Sequence, residues 1–457
     1  MIIKKEFFLF FSVMIVTFMI GFDTTGLGVA IPEIAAKSGF GVKEGTWLSV
    51  SYTAGFAAFL LPAGIITDKG GIRINIITSL LIFVLSSLYL TYCETLTEFT
   101  CIRLVQGVSA AFLNTSAMAL LSILYPLGSN GRTRVFRQWS MFLGLSFAIG
   151  PILGSLIVNY ASWEWIMFLN IPLGIIVALP FVSRAYMSTA RKKTLGQVSL
   201  ASSIPATVII LLVTMHQYFA NNFSVSVGFY YMMALFLCFV VLGAIHFLSR
   251  RSFTRLPELR NGYFLISLLL PVFFSVSYWS LFVTLPGYIT MTFGYTPMVV
   301  MLFMLCLSVP LTLVPLLALQ NKLKLNAMNG FVFIAIGLGL LSFIFKSPVG
   351  GDDILLAITL FIMGVGASIL NPIMARVVMD NVSAENSGLA AAITSTVRQL
   401  GFALGVALYS LMTVTSSKNL INISVANAFS LSAALPLISL LICIVLNKRS
   451  QLLSKAH

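Results

Sequence analysis

The chain has 457 residues, of which 59% are hydrophobic and 9% charged, and its 27 basic side chains outnumber 13 acidic ones for a formal net charge of +14. A soluble globular protein carries about 25% charged residues, so this composition excludes a water-soluble fold and makes lipid the main solvent. In a soluble chain the positive charge would point to nucleic acid; here it fits basic loops on one membrane face, and no nucleic-acid partner is expected.

The chain opens "MIIKKEFFLFFSVMIVTF", two lysines followed by an apolar run. That run outlasts a secretory signal and shows no small-residue cleavage site before Asp23, so it reads as an uncleaved first span. A helix needs about 20 mostly apolar residues to cross a bilayer. On that basis fourteen spans are expected, at 7–32, 46–67, 74–93, 98–124, 138–158, 166–183, 198–219, 227–248, 262–284, 297–319, 328–345, 353–374, 388–412 and 425–446. Strands are excluded because the runs are too long and do not alternate as a lipid-facing barrel requires. The expected class is an all-α integral membrane protein with 14 transmembrane helices.

The basic residues orient this map. With the N-terminus inside, 21 of the 27 fall on the cytoplasmic side, four on the outer side (Lys37, Lys43, Lys346 and Lys418) and two, Arg103 and Arg398, within spans. Such asymmetry implies an even number of spans with both termini cytoplasmic. The loops are too short for a soluble domain, and the basic stretch "RAYMSTARKKTLGQ" is a natural break after the sixth span. The five cysteines lack metal-ligand spacing and read as free buried thiols. No metal or cofactor is expected, and no phosphate-binding Gly-x-x-x-x-Gly-Lys-Ser/Thr loop is present to power the protein with ATP.

Several residues stand out in chain order. Asp23 lies inside the first span, roughly 24 Å along the helix from Phe7 at about 1.5 Å per residue, in the outer half of the bilayer. A carboxylate at the bilayer centre costs about 2.5–3.5 kcal/mol on insertion scales and is a functional-site hypothesis by default. Burial disfavours the charged form of an acid and a nearby cation favours it. An acid alternating between such surroundings can carry a proton, and Asp23 is therefore the expected principal proton or cation site. Thr25 follows it, and Glu33 sits near the outer mouth, where it could attract a cationic substrate. After the second span, "GIITDKGGIR" places Gly64, Asp68, Gly71 and Arg73 at a tight helix-end turn suited to gating contacts. In the fourth span "RLVQG" holds Arg103, Gln106 and Gly107; an arginine does not readily lose its proton, so Arg103 is a fixed charge and a candidate partner of Asp23. The fifth span carries "GPILG", where Gly150, Pro151 and Gly154 allow bending and close helix approach. Near the end, "SGLAAAITSTVRQLGFALGVA" places Arg398 and Gln399 in the thirteenth expected span.

These segments, in this order, resemble the major facilitator superfamily, and in particular its fourteen-span drug:proton antiporters. "FDTTGLGVAIP" is similar to that family's first-span signature, "GIITDKGGIR" to its second-to-third-span loop, "RLVQG" to its fourth-span motif and "GPILG" to its fifth-span antiporter motif. The resemblance departs at Gly28, where Asn is usual, at Ile72, where a basic residue is usual, at Ser155 for Gly, and at Glu164, where relatives carry Arg between two interface tryptophans. It implies two six-helix bundles, 1–193 and 257–457, with two inserted helices at 194–256, and alternating access around a midplane site. A monomer in a plasma membrane, of the bacterial inner-membrane kind, is expected. The expected function is proton-coupled export of amphipathic or hydrophobic small molecules. Proton-coupled uptake and a membrane-embedded lipid-modifying enzyme are the alternatives. The adjacent Asp352 and Asp353, which an enzyme could use, read as a turn beside glycines.

Overall fold

Every backbone polar group inside a lipid core must be satisfied within the protein, and a helix does so within its own segment. The computed structural model describes residues 2–40, 45, 47–126, 129, 131–182, 262–295, 297–320, 326–346, 353–376, 387–411 and 418–455, and all the secondary structure among them is helical. In chain order the helices are α1 (Ile2–Ser38), α2 (Trp47–Gly70), α3 (Ile72–Leu90), α4 (Leu96–Leu124), α5 (Arg132–Tyr160), the short α6 (Glu164–Phe168) and α7 (Asn170–Val182). They continue with α8 (Gly262–Phe274), a π-helical turn (Ser275–Trp279), α9 (Leu281–Phe293), α10 (Pro297–Gln320), α11 (Ala327–Lys346), α12 (Asp353–Arg376), α13 (Ser387–Leu411) and α14 (Lys418–Lys455).

Eleven segments among the described residues are long and apolar enough to cross a membrane. They overlap eleven of the fourteen expected spans, and α13 covers the expected segment 388–412 up to Leu411 as a helix without joining those eleven. The expected spans 198–219 and 227–248, with His216 and His246, lie outside the described residues, as does the terminal His457. The described residues thus show an all-helical membrane fold and do not confirm the count of fourteen.

The chain divides into two compact units. The first comprises Met1–Val135, Ile149–Pro257 and Val382–Thr396; the second comprises Phe136–Ala148, Glu258–Asn381 and Val397–His457. The core of the first includes Phe22, Leu27, Ile34, Leu48, Phe99 and Trp163. That of the second is richer in aromatics, with Phe274, Tyr278, Trp279, Phe345, Tyr409 and Phe429. Large apolar side chains such as Leu81, Leu85, Phe343 and Leu441 are left exposed, as lipid-facing surfaces require.

Local chemistry fixes several helix ends. α4 starts in a capping box: Thr95 Oγ1 accepts from Glu98 N at 3.3 Å, and Glu98 Oε2 accepts from Thr95 N at 3.2 Å. The turn between α2 and α3 passes through Gly71 at φ +88°, a conformation that L side chains rarely adopt. Cys93, Cys101, Cys306 and Cys443 are free, but of the thiols expected to be buried only Cys93 is, Cys101 being exposed and the other two intermediate; Cys238 lies outside the described residues.

Two helix crossings depend on missing side chains. A Cβ on Gly107 of α4 would run into the Tyr52 carbonyl of α2, and one on Gly55 of α2 would meet Val108 N at 3.1 Å. A Cβ on Gly150 of α5 would strike Thr25 Oγ1 of α1, and one on Gly154 would come within 2.8 Å of Gly26 O. The fourth- and fifth-span glycines thus act as close-packing seams between helices. Gly28, by contrast, faces open space, so the usual Asn would be accommodated there and its loss leaves no void. Gly107→Val should therefore destabilise the protein by about 1–3 kcal/mol, read as a lower thermal unfolding midpoint in detergent, while Gly28→Ala should leave that midpoint unchanged.

Candidate functional site

The first unit buries a polar cluster around Asp23. Arg103 and Gln106 sit three residues apart on α4 and so share one helix face; Gly107, one turn beyond Arg103, is the residue that lets α2 approach. Asp23, Gln106, Ser87 and Asn170 are fully buried and Arg103 is 1% exposed. Arg103 Nη1 donates to Asp23 Oδ2 at 2.6 Å and to Gln106 Oε1 at 2.5 Å, while its Nε donates to the Leu48 carbonyl at 3.1 Å. The guanidinium also lies over the Tyr52 ring, 4.3 Å from its centroid.

The other carboxylate oxygen is held by neutral donors. Gln106 Nε2 reaches Asp23 Oδ1 at 3.2 Å and Ser87 Oγ at 2.8 Å; Asn170 Nδ2 reaches the same two atoms at 3.4 and 3.1 Å. The expected Asp23–Arg103 pairing is thus present, and Gln106 bridges it. Ser87, Asn170 and Tyr52 were not singled out from the sequence. For Asn170 a signal existed: it is an amide directly before the apolar "IPLG" run that opens α7. Such a pair is insulated from water, so its strength rests on geometry and on the surrounding hydrogen bonds; removing one partner strands a buried charge.

The residues expected to gate, around the α2–α3 turn, occupy the other end of the helices. Gly64 is buried in α2, and Asp68 lies in α2 with its side chain outside the described residues. Arg73 Nε donates to the Phe181 carbonyl at 2.7 Å, placing a cation at the C-terminal turn of α7 where the helix dipole favours it. Beside this loop Asn75 Nδ2 donates to Thr67 Oγ1 at 3.1 Å, and Thr67 Oγ1 lies 3.0 Å from Ser116 Oγ. That bridge ties α2, α3 and α4 together through residues absent from the expected set.

At the C-terminal end of α1, Lys37 Nζ contacts Glu33 Oε1 at 2.9 Å and Glu164 Oε1 at 3.5 Å. The hydrogen bond that it donates to the Glu33 carboxylate holds the Lys37 ammonium above its ordinary pKa. Glu33 is therefore engaged by a lysine, and Glu164, whose inverted charge the sequence left unexplained, is the second arm of the same clasp. Thr25 Oγ1 donates to Gly21 O at 2.9 Å and packs against Gly150; Pro151 follows within α5.

In the second unit, Arg398 Nη2 donates to Asn371 Oδ1 at 3.1 Å, and Asn371 Nδ2 donates to Ser140 Oγ at 2.9 Å. Gln399 is next to it on α13, partly exposed. Asp353 accepts a hydrogen bond from Tyr295 at the start of α12. Among the described residues no group of three or more His, Cys, Asp or Glu side chains could hold a metal.

If the cluster is held by its ion pair, Arg103→Gln should cost about 3–5 kcal/mol by stranding the buried carboxylate. Adding Asp23→Asn should restore most of that loss. Unfolding midpoints of the two single variants and the double variant in detergent check both statements.

The Major Facilitator Superfamily profile matches residues 13–406, an interval that contains Asp23, Arg103 and Arg398. Among characterised relatives, the chain is 29% identical over 409 residues to the multidrug resistance protein Stp of Mycobacterium tuberculosis, covering 85% of this chain and 72% of that protein. It is also 29% identical over 420 residues to the cephamycin export protein CmcT of Amycolatopsis lactamdurans, covering 88% and 83%. The solved structure of the human organic anion transporter MFSD10 superposes with a TM-score of 0.61 at 13% identity, covering 96% of this chain and 98% of that one, a likeness of fold. The chain belongs to the Major Facilitator Superfamily and is a multi-pass membrane transporter of small molecules, not an enzyme.

Proposed function

We propose that this protein is a proton-coupled antiporter that exports amphipathic or hydrophobic small molecules by alternating access. In this reading the chain has fourteen spans, with six-helix bundles at 1–193 and 257–457, two inserted helices at 194–256, and both termini in the cytoplasm of a bacterial cell. It works as a monomer. The names of the relatives Stp and CmcT, a resistance protein and an exporter, support the outward direction.

The observation that carries the coupling is the Asp23–Arg103 pair, 2.6 Å apart and shielded from water. Among the described acids Glu6, Glu98, Glu164 and Asp353 stand at or next to the start of a span, whereas Asp23 lies deep inside one. A proton arriving on Asp23 from outside cancels the charge that attracts Arg103. The guanidinium then keeps its contacts to Tyr52, Gln106 and the Leu48 carbonyl, and α1 is released from α4. Proton loss to the cytoplasm restores the pair. Each tenfold of proton activity supplies about 1.4 kcal/mol toward this cycle.

The remaining residues divide by position. Gly64, Asp68, Gly71 and Arg73 form the inner gate, and Gly107, Gly150, Pro151 and Gly154 keep the moving helices closely packed. Arg398 and Gln399 line the substrate cavity. Thr25 and Glu33, held by Gly150 and Lys37, join it only when those contacts open.

Proteoliposomes with an imposed pH gradient and a panel of amphipathic compounds test this reading. The wild-type protein should drive at least one compound against its gradient, in exchange for protons. Asp23→Asn should lose that accumulation while still exchanging substrate downhill. Undiminished accumulation by Asp23→Asn would remove Asp23 from the coupling, and co-movement of protons and substrate would select uptake instead.

A further inference from the structure

Arg398 is an intramembrane cation with a different environment from Arg103. A guanidinium offers five N–H donors and keeps its proton, yet among the described residues Asn371 Oδ1 is the acceptor that meets it. The described ion pairs involve Asp23, Glu33 and Glu164, none of them with Arg398. Asp353 is the described carboxylate of the second unit; it lies 18 residues before Asn371 on the same helix, roughly 27 Å at about 1.5 Å per residue, and is engaged by Tyr295. Arg398 is intermediate in exposure as a residue.

What surrounds the charge is aromatic. The guanidinium carbon lies 5.7 Å from the Trp139 ring centroid and 5.8 Å from that of Trp279. Trp279 continues into a cluster with Phe147 at 4.9 Å and Phe282 at 5.6 Å. Its indole N–H is buried without a partner among the described residues, as are the hydroxyls of Ser275 and Ser277 on the same π-helical turn. That turn closes with Ser280 N donating to Ser275 O at 3.2 Å, the i→i+5 pattern that concentrates at functional sites. Tyr278 pins it to the Leu307 carbonyl at 2.7 Å. A fixed positive charge, unfilled donors and flat apolar walls lie within one compact unit.

We propose that Arg398, Trp139 and Trp279 form a binding site for amphipathic organic anions, in which a carboxylate or sulfonate meets the guanidinium and a flat aromatic body lies along Trp279, Phe147 and Phe282. This rests on the exporter reading and names the substrate class of its cavity. A carboxylate matches the planar fork of arginine with two parallel hydrogen bonds, and offset stacking supplies the apolar part of the affinity. Lysine would keep the charge but lose the fork.

The test uses the full-length protein in nanodiscs and three matched probes: 2-naphthoate, its neutral methyl ester, and 2-naphthyltrimethylammonium. Binding of radiolabelled 2-naphthoate, competed by the other two, should favour the acid by at least tenfold. Arg398→Gln should erase that preference, and Arg398→Lys should retain part of it. If Arg398→Gln does not fold, the wild-type preference for acid over ester still decides. Equal binding of acid and ester, tighter binding of the cation, or an acid preference that survives in folded Arg398→Gln would overturn the proposal. The same probes in proteoliposomes separate the two levels. Arg398-dependent anion binding without proton-driven movement would uphold this site and sink the exporter reading. Proton-driven movement of the cation, with no Arg398-dependent anion binding, would do the reverse.

Discussion

The buried pair between Asp23 and Arg103 constrains most of the first unit. Two opposite charges taken out of water lose solvation that their attraction repays only with good geometry and further hydrogen bonds. Here that support comes from Gln106, Ser87 and Asn170 on the carboxylate side, and from the Leu48 carbonyl and the Tyr52 ring on the guanidinium side. The pair and its hydrogen bonds therefore tether α1 to α2, α3, α4 and α7.

The glycine seams and the ion pair are one device. Tyr52 presents its carbonyl to Gly107 and its ring to Arg103, so the close approach of α2 and α4 is what brings the π face under the guanidinium. A larger residue at position 107 would separate the helices and withdraw both Tyr52 and the Leu48 carbonyl from the charge. On the other side of Asp23, Gly26 is caught between Gly150 and Gly154 of α5. The carboxylate thus sits on a helix clamped a few residues away, and a change in its charge acts on a packed crossing with little slack. Packed interfaces of this kind switch between discrete arrangements more readily than they deform.

Legibility in the sequence followed physical expense. Asp23 and Arg103 were visible because a charge in an apolar run is costly enough to demand a reason, and the small residues at 107, 150 and 154 because helices in lipid approach through them. Ser87 and Asn170 were not, since neutral polar residues are common in spans and their role depends on which helix faces which. Glu164 was noticed as an inverted charge, but its partner Lys37 lies on another helix far away in sequence, so only folding could supply the explanation. Glu33 was read as free to attract substrate for the same reason. Arg398 was legible as an embedded charge, whereas the aromatic walls beside it come from Trp139 and Trp279, on helices that sequence distance does not connect to it.

The two embedded arginines then differ in what completes them. Arg103 has its counter-ion within the chain, so on the proposed coupling its state changes when a proton neutralises Asp23. Among the described residues Arg398 has an amide and two indoles, so on the proposed reading its counter-charge arrives with a ligand. On the proposed coupling, one proton entering while one organic anion leaves moves two elementary charges in the same electrical direction. Each is worth about 2.3 kcal/mol per 100 mV of membrane potential, and a negative-inside potential drives both. A monocationic substrate leaving against one proton would instead cancel the charge movement and rely on the pH gradient alone. The chemistry around Arg398 therefore bears on more than recognition, because the sign of the cargo decides whether the membrane potential powers the cycle.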